Sequence, residues 1–147
     1  MKLQARQTGF SLIEIMVVLV IMGLLVGIVA PNVIGNLKKA NTQRVFADFK
    51  NIESALQMYR LDNYVYPNSE QGLVSLVEKP SLDPVPRKYR DGGYVSKTPI
   101  DPWGREYLYL SPGESHEYDI FTYGADGVPG GEGENADINN WTNPEEL

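Results

Sequence analysis

The segment FSLIEIMVVLVIMGLLVGIVA, Phe10 to Ala30, carries a single charge, Glu14, and from Ile15 onward contains only Ala, Val, Ile, Leu, Met and Gly. A run of this kind is membrane-grade. As a helix from Phe10 to Ala30 it would extend about 31 Å, enough for a hydrocarbon core of roughly 30 Å. The uncharged part alone, from Ile15, would reach only about 24 Å. A cleaved secretory signal also begins with basic residues, here Lys2 and Arg6. It would have a shorter apolar region, no acid inside it and a small-residue cleavage site, whereas Pro31 directly follows Ala30. The pattern therefore favours a retained single span. The flanking charges predict a cytoplasmic N-terminus and a body on the far side.

Past Pro31 the apolar residues change from a run to a stripe. Val45, Phe49, Ile52, Leu56 and Tyr59 follow one another at helical spacing, with Lys50, Glu53, Gln57 and Arg60 on the other face. This predicts an amphipathic helix packed on one side. The intervening KKANTQR (38–44) offers only Ala40 as an apolar residue. Lys38, Lys39 and Arg44 fit either a solvated face or contact with lipid phosphates. Proline removes a backbone hydrogen bond, so a kink or local melting is expected between Val26 and Pro31. Gly23 and Gly27 have the spacing of a close helix contact, by itself a weak signal.

The rest of the chain has a different character. All thirteen Lys and Arg lie at or before Arg105, whereas residues 106–147 hold ten acids. That polarity opposes nucleic acid as a partner and favours a cation. With no cysteine, an exported body would depend on a core, an ion or assembly for stability. YLYL (107–110) and YDIFTY (118–123), joined by SPGESH, read as a β-hairpin resting on the Val45–Tyr59 stripe. DPWG (101–104) reads as a turn, with Trp103 a packing anchor and Trp141 a core residue covering the loop before it. That loop, TYGADGVPGGEGENADINNW (122–141), places Asp126 and Asp137 around glycines that let carbonyls turn inward. It lacks the EF-hand pattern. Spacing alone leaves two readings, a Ca²⁺ loop and a solvated acidic loop.

Catalysis is poorly supported. His116, the one histidine, falls in the hairpin loop with no positioned neighbour apparent in the sequence. Gly131-Glu132-Gly133 with Ala136 mimics a dinucleotide fingerprint without the strand–helix unit that would use it. Asn140-Trp141-Thr142 matches a glycosylation sequon by pattern only.

A basic leader ending in Gly9, then FSLIE and an apolar run, resembles the class III signal of type IV pilins and pseudopilins. YRLDNYVYPNSEQGLVSLV (59–77), RDGGYVSKTPIDPWGREYLYLSPG (90–113), DIFTYGADGVPGGEG (119–133) and ADINNW (136–141) narrow this to a resemblance to major pseudopilins of type II secretion systems. The resemblance implies an α+β, type IV pilin-like fold: a long N-terminal helix packed against a small antiparallel sheet, with a C-terminal cation-binding loop. It divides the chain into a leader (1–9), a transmembrane and filament-core helix (10–31), an amphipathic helix (32–62) and a periplasmic globular part (63–147).

It further implies that a prepilin peptidase cuts between Gly9 and Phe10 and methylates the new amine. Subunits would sit in inner-membrane lipid before assembly and polymerise, with minor pseudopilins and an inner-membrane platform, into a periplasmic filament that drives export of folded proteins. It raises Ca²⁺ over the solvated loop, with Asp126 and Asp137 as side-chain ligands, Tyr123 and Asn135 as carbonyl donors, and Glu134 as a weaker alternative. The chain departs from the family pattern at Thr8, at Ser11, where Thr is common, and at Asn139, which replaces a glycine. Two alternatives remain: a type IV pilin or DNA-uptake pseudopilin, and a membrane-anchored periplasmic binding protein.

Glu14 then has three candidate states. A carboxylate at a bilayer centre costs about 2.5–3.5 kcal/mol, and less near a helix end. It could pair with the freed Phe10 amine of a neighbouring subunit, pair with its own Phe10 four residues away, or snorkel without a partner. The resemblance favours the intermolecular pair, which would set axial register, and assigns Glu14 and Pro31 to assembly.

Overall fold

The computed structural model describes residues 9–114 and 116–144, without the side chains of residues 28–34. The chain separates into two units, residues 1–39 and 40–147. One helix, α1 (Leu12–Asn63), contributes to both. Helix α1 is unbroken from Val26 through Pro31, so the local melting expected there is not observed, while the Pro31 side chain and residues 1–8 lie outside the described residues.

In the first unit, the Ser11 carbonyl accepts from the amides of Glu14 (3.1 Å) and Ile15 (3.3 Å) and opens α1. Glu14 stands in the first turn, where the helix dipole favours a carboxylate. Leu12, Ile13, Val17, Leu19, Ile21 and Leu25 are all exposed, so no apolar face of this segment is covered within its own unit. Among the described residues no helix is long and apolar enough to cross a membrane.

The second unit is built on the amphipathic stripe. Val45, Phe49, Ile52, Leu56 and Tyr59 are each at most 2% exposed, as the spacing requires. They join Leu73 and Leu76, from a short 3₁₀ turn (Leu73–Leu76), and Tyr107, Tyr109, Ile120 and Ile138 in one core. Each fully buried large aliphatic or aromatic side chain contributes about 1.5–3 kcal/mol of transfer free energy. Phe49 meets Tyr107 edge-on, with ring centroids 5.3 Å apart. Burial of tyrosine requires partners for the hydroxyls. Tyr107 donates to Asp48 at 2.9 Å and Tyr109 to the Pro67 carbonyl at 2.9 Å.

The hairpin forms where the sequence places it. Strand β1 (Leu108–Leu110) pairs antiparallel with β2 (Asp119–Thr122), Tyr109 opposite Ile120. A third strand, β3 (Ile138–Asn139), adds to β2 with Phe121 opposite Asn139, giving the order β1-β2-β3. Asn139 needs no glycine geometry, because Tyr64 is the only described non-glycine residue with positive φ. Its amide instead donates to Thr142 Oγ1 at 3.2 Å. Trp103 packs on the core as expected, but Trp141 does not belong to it. Trp141 is 44% exposed and stacks on His116, centroids 5.1 Å apart.

Candidate assembly and cation sites

Two regions carry the residues singled out by sequence. At the N-terminus, Phe10 is 80% exposed and Gly9 has no neighbour near its α-carbon that a side chain would meet. Phe10 precedes the first residue of α1, Leu12, so its four-residue separation from Glu14 does not by itself set the two on one helical face. Among the described residues Glu14 belongs to none of the four ion pairs. Arg44 is drawn toward its own protein rather than held free for phosphate. Its Nε lies 3.6 Å from Asp48, and it donates to the Ile100 carbonyl at 3.4 Å.

The C-terminal loop doubles back on itself between β2 and β3. The Ala125 amide donates to the Glu134 carbonyl at 2.8 Å, and the Gly130 amide to Asp137 Oδ2 at 2.9 Å. Gly124, at φ +64°, sits so close that a Cβ there would lie 2.6 Å from the Glu134 carbonyl oxygen and 2.8 Å from that of Ala136. Only glycine permits this approach. Gly131 lies equally close to the Asn135 carbonyl. Tyr123 enters the loop with its ring against Phe121, centroids 5.5 Å apart.

The two aspartates differ. Asp126 is exposed and its Oδ1 accepts from its own turn, the Val128 amide, at 3.0 Å. Asp137 is half-buried, and its Oδ1 is buried with no hydrogen-bond partner. A buried carboxylate oxygen without a donor is costly, and a cation is one way to satisfy it. Among the described residues no three acidic or histidine side chains gather into a metal cluster. A cation here would therefore depend on backbone carbonyls, the mixture that Ca²⁺ accepts.

Several residues around this loop escaped the sequence reading. Asp101 is 1% exposed, and its Oδ1 accepts from the amides of Trp103 (3.0 Å) and Arg105 (2.8 Å). Its Oδ2 takes a 2.7 Å hydrogen bond from Thr122 Oγ1, tying the DPWG turn to the end of β2. Arg105 Nη2 donates to the Gly124 carbonyl. Asn140 Nδ2 donates to Glu53 on α1 at 3.0 Å, and Asn140 Oδ1 accepts from the Ile120 amide at 3.1 Å. His116, expected to lack an ordered partner, stacks on Trp141 and places Nδ1 3.9 Å from Asp119, whose Oδ1 is buried without a donor. Only the DPWG turn gave a local signal. Apart from His116–Asp119, three residues apart, the other pairings link residues far apart in sequence.

Comparison with known proteins bears on the fold and on the N-terminal motif. Residues 32–141 match the family model described as "Type II secretion system (T2SS), protein G", and residues 4–30 match the prokaryotic N-terminal methylation motif. The chain is 55% identical over 141 residues to type II secretion system core protein G of Vibrio cholerae, covering 96% of each. It is 53% identical over 137 residues to the Klebsiella pneumoniae protein of the same name, covering 93% of this chain and 96% of that one. The crystal structure of the major pseudopilin from the type 2 secretion system of enterohaemorrhagic Escherichia coli superposes with a TM-score of 0.67 at 51% identity, over 76% of this chain and 95% of that one. With the fold, the N-terminal motif and near-full-length similarity in agreement, the chain belongs to the protein G family of the type II secretion system.

Proposed function

We propose that this protein is the structural subunit of a periplasmic pseudopilus, polymerising through its N-terminal helix to drive export of folded proteins across the outer membrane. One observation carries the reading: from Leu12 to Val26 large apolar side chains are exposed on every face of α1. Water does not support such a surface, so lipid or other copies of the helix must cover it. Before assembly the covering would be the inner membrane, with the N-terminus cytoplasmic. In the filament it would be neighbouring subunits, with Glu14 paired to the Phe10 amine of one of them. Minor pseudopilins, a prepilin peptidase and an inner-membrane platform are the partners this role requires. The role is structural rather than enzymatic, in keeping with a lone histidine whose neighbours are Trp141 and Asp119.

Processing tests the reading first. Intact mass spectrometry of the protein from its membrane should give a chain beginning at Phe10 with one added methyl group. A mature chain beginning at Met1 would rule out the pilin-type pathway.

The orphaned Asp137 Oδ1 supports a Ca²⁺ ion in the loop between β2 and β3, with Asp126 as the second carboxylate and the carbonyls of Tyr123 and Asn135 as the further donors this reading requires. Bound there, the ion would cross-link the two limbs of the loop, the task a disulfide would perform in a chain with cysteines. Removing it with chelator should lower the melting temperature of the globular unit by several degrees. Unchanged melting would remove the cation from the account.

A further inference from the structure

Arg105 is the last basic residue of the chain, and every charged side chain after it is acidic. Its backbone is pinned on both sides. The Arg105 amide donates to buried Asp101 Oδ1 at 2.8 Å, and the Asp101 amide donates to the Arg105 carbonyl at 2.7 Å. Asp101 is itself held by Thr122, the last residue of β2. The Arg105 side chain thus starts from a fixed point beside the mouth of the acidic loop. From there it crosses to the first limb, where Nη2 donates to the Gly124 carbonyl.

The guanidinium then lies against Gly127. A Cβ at Gly127 would stand 2.9 Å from Arg105 Cζ and 2.9 Å from its Nε, and Gly127 has φ +70°. Positive φ favours glycine there, and the absence of a side chain leaves the space that the guanidinium fills. Among the described residues Arg105 forms no ion pair with a carboxylate. It grips backbone instead, at the turn that presents Asp126, and leaves the carboxylates free of a competing protein cation. The planar fork suits this task, since it spans a carbonyl and a glycine face from one rigid group.

We propose that Arg105 is a positioning residue for the cation loop: anchored through Asp101, it clamps the Gly124–Gly127 turn so that the loop's donors stand ready before the ion arrives. The inference rests on the Ca²⁺ reading given above. The positive charge also opposes a nearby cation. Because the side chain is exposed, water and salt screen that repulsion, and ordering of the turn dominates.

The test is calorimetric titration of Ca²⁺ into chelator-stripped full-length protein in detergent, for wild type, Arg105→Met and Arg105→Lys. The Met variant should bind about tenfold more weakly. The Lys variant, which keeps the charge but loses the fork, should fall between the two. In the stripped protein, amide exchange at 124–128 should be faster in the Met variant. The rise in melting temperature produced by Ca²⁺ should shrink, an effect that a purely structural role, lowering stripped and loaded proteins alike, would not produce. Binding by Arg105→Met as tight as wild type, or tighter, would overturn the clamp and leave the cation site standing. Absence of Ca²⁺ binding by wild type would overturn both.

Discussion

Two stretches of one helix illustrate opposite solutions to the same problem. Between Val45 and Tyr59 the apolar residues form a stripe, and each finds cover inside its own unit. Between Leu12 and Val26 they encircle the helix and stay exposed: Leu19 is 65% exposed where Phe49 is 2%. The first stretch is stabilised by tertiary packing within the chain. The second is left to an environment that the chain does not supply, so its stability depends on a bilayer or on other copies. On the proposed role the helix works in both settings, and an apolar surface on every face commits it to no single fixed partner.

Matched truncations should separate the two stretches most sharply. Phe49→Ala should cost the globular unit about 3–5 kcal/mol, read as a large fall in its denaturation midpoint. Leu19→Ala should leave that midpoint where it is and act instead on membrane retention or assembly. Equal loss of folding stability from both would erase the distinction. Next in size is Asp101→Ala, which strips acceptors from Thr122, Trp103 and Arg105 within the folded unit. Of these donors only the Thr122 hydroxyl is buried, and left unpaired it costs about 1–3 kcal/mol, so the chemical denaturation midpoint should drop clearly, though less than for Phe49→Ala.

Alkaline titration probes the packed stretch without mutation. Burial holds Tyr59 up to about 12, aided by Tyr94 and Tyr89, and Tyr118 up to about 12, aided by Glu53. Burial also raises Tyr107, beside Asp48, and Tyr109. In the unfolded chain these phenols ionise near 10. Their contribution is therefore fully present below about pH 10 and is lost as pH rises toward the folded values, because the unfolded state releases protons first. The urea midpoint should be flat at neutral pH and fall between about pH 10 and 12, with tyrosinate absorbance appearing as the unit unfolds. A midpoint that holds through pH 12 would contradict the burial assigned to these rings. The smallest effect is expected from Arg60→Met. Its ion pair with Glu117 at 2.7 Å and its position over the Tyr66 ring are largely solvent-exposed. A change within experimental error is expected.

What the sequence revealed follows from the range of each interaction. The stripe was legible because helical period is a local property, and the β1–β2 hairpin because both strands lie within a few residues of their turn. Strand β3 was not, since two residues, Ile138 and Asn139, show no period of their own and are strands only because β2 offers an edge. In the loop, Asp126 and Asp137 were visible as carboxylates among glycines. That Asp137, unlike Asp126, keeps a buried oxygen without a donor depends on how the chain folds back. Residue type suggests core for Trp141, yet it is exposed and stacks on His116, a pairing twenty-five residues apart in sequence. Arg105 gave no signal, because its target carbonyl at Gly124 is nineteen residues ahead.

The central claim is that Glu14 serves assembly rather than insertion, and Glu14→Ala tests it most directly. The variant and wild type would be compared for membrane insertion, for mass at the Phe10 N-terminus, and for filaments by electron microscopy. Insertion and processing should match wild type while filaments are lost or sharply reduced. Filaments of normal number and length from processed Glu14→Ala subunits would contradict the claim.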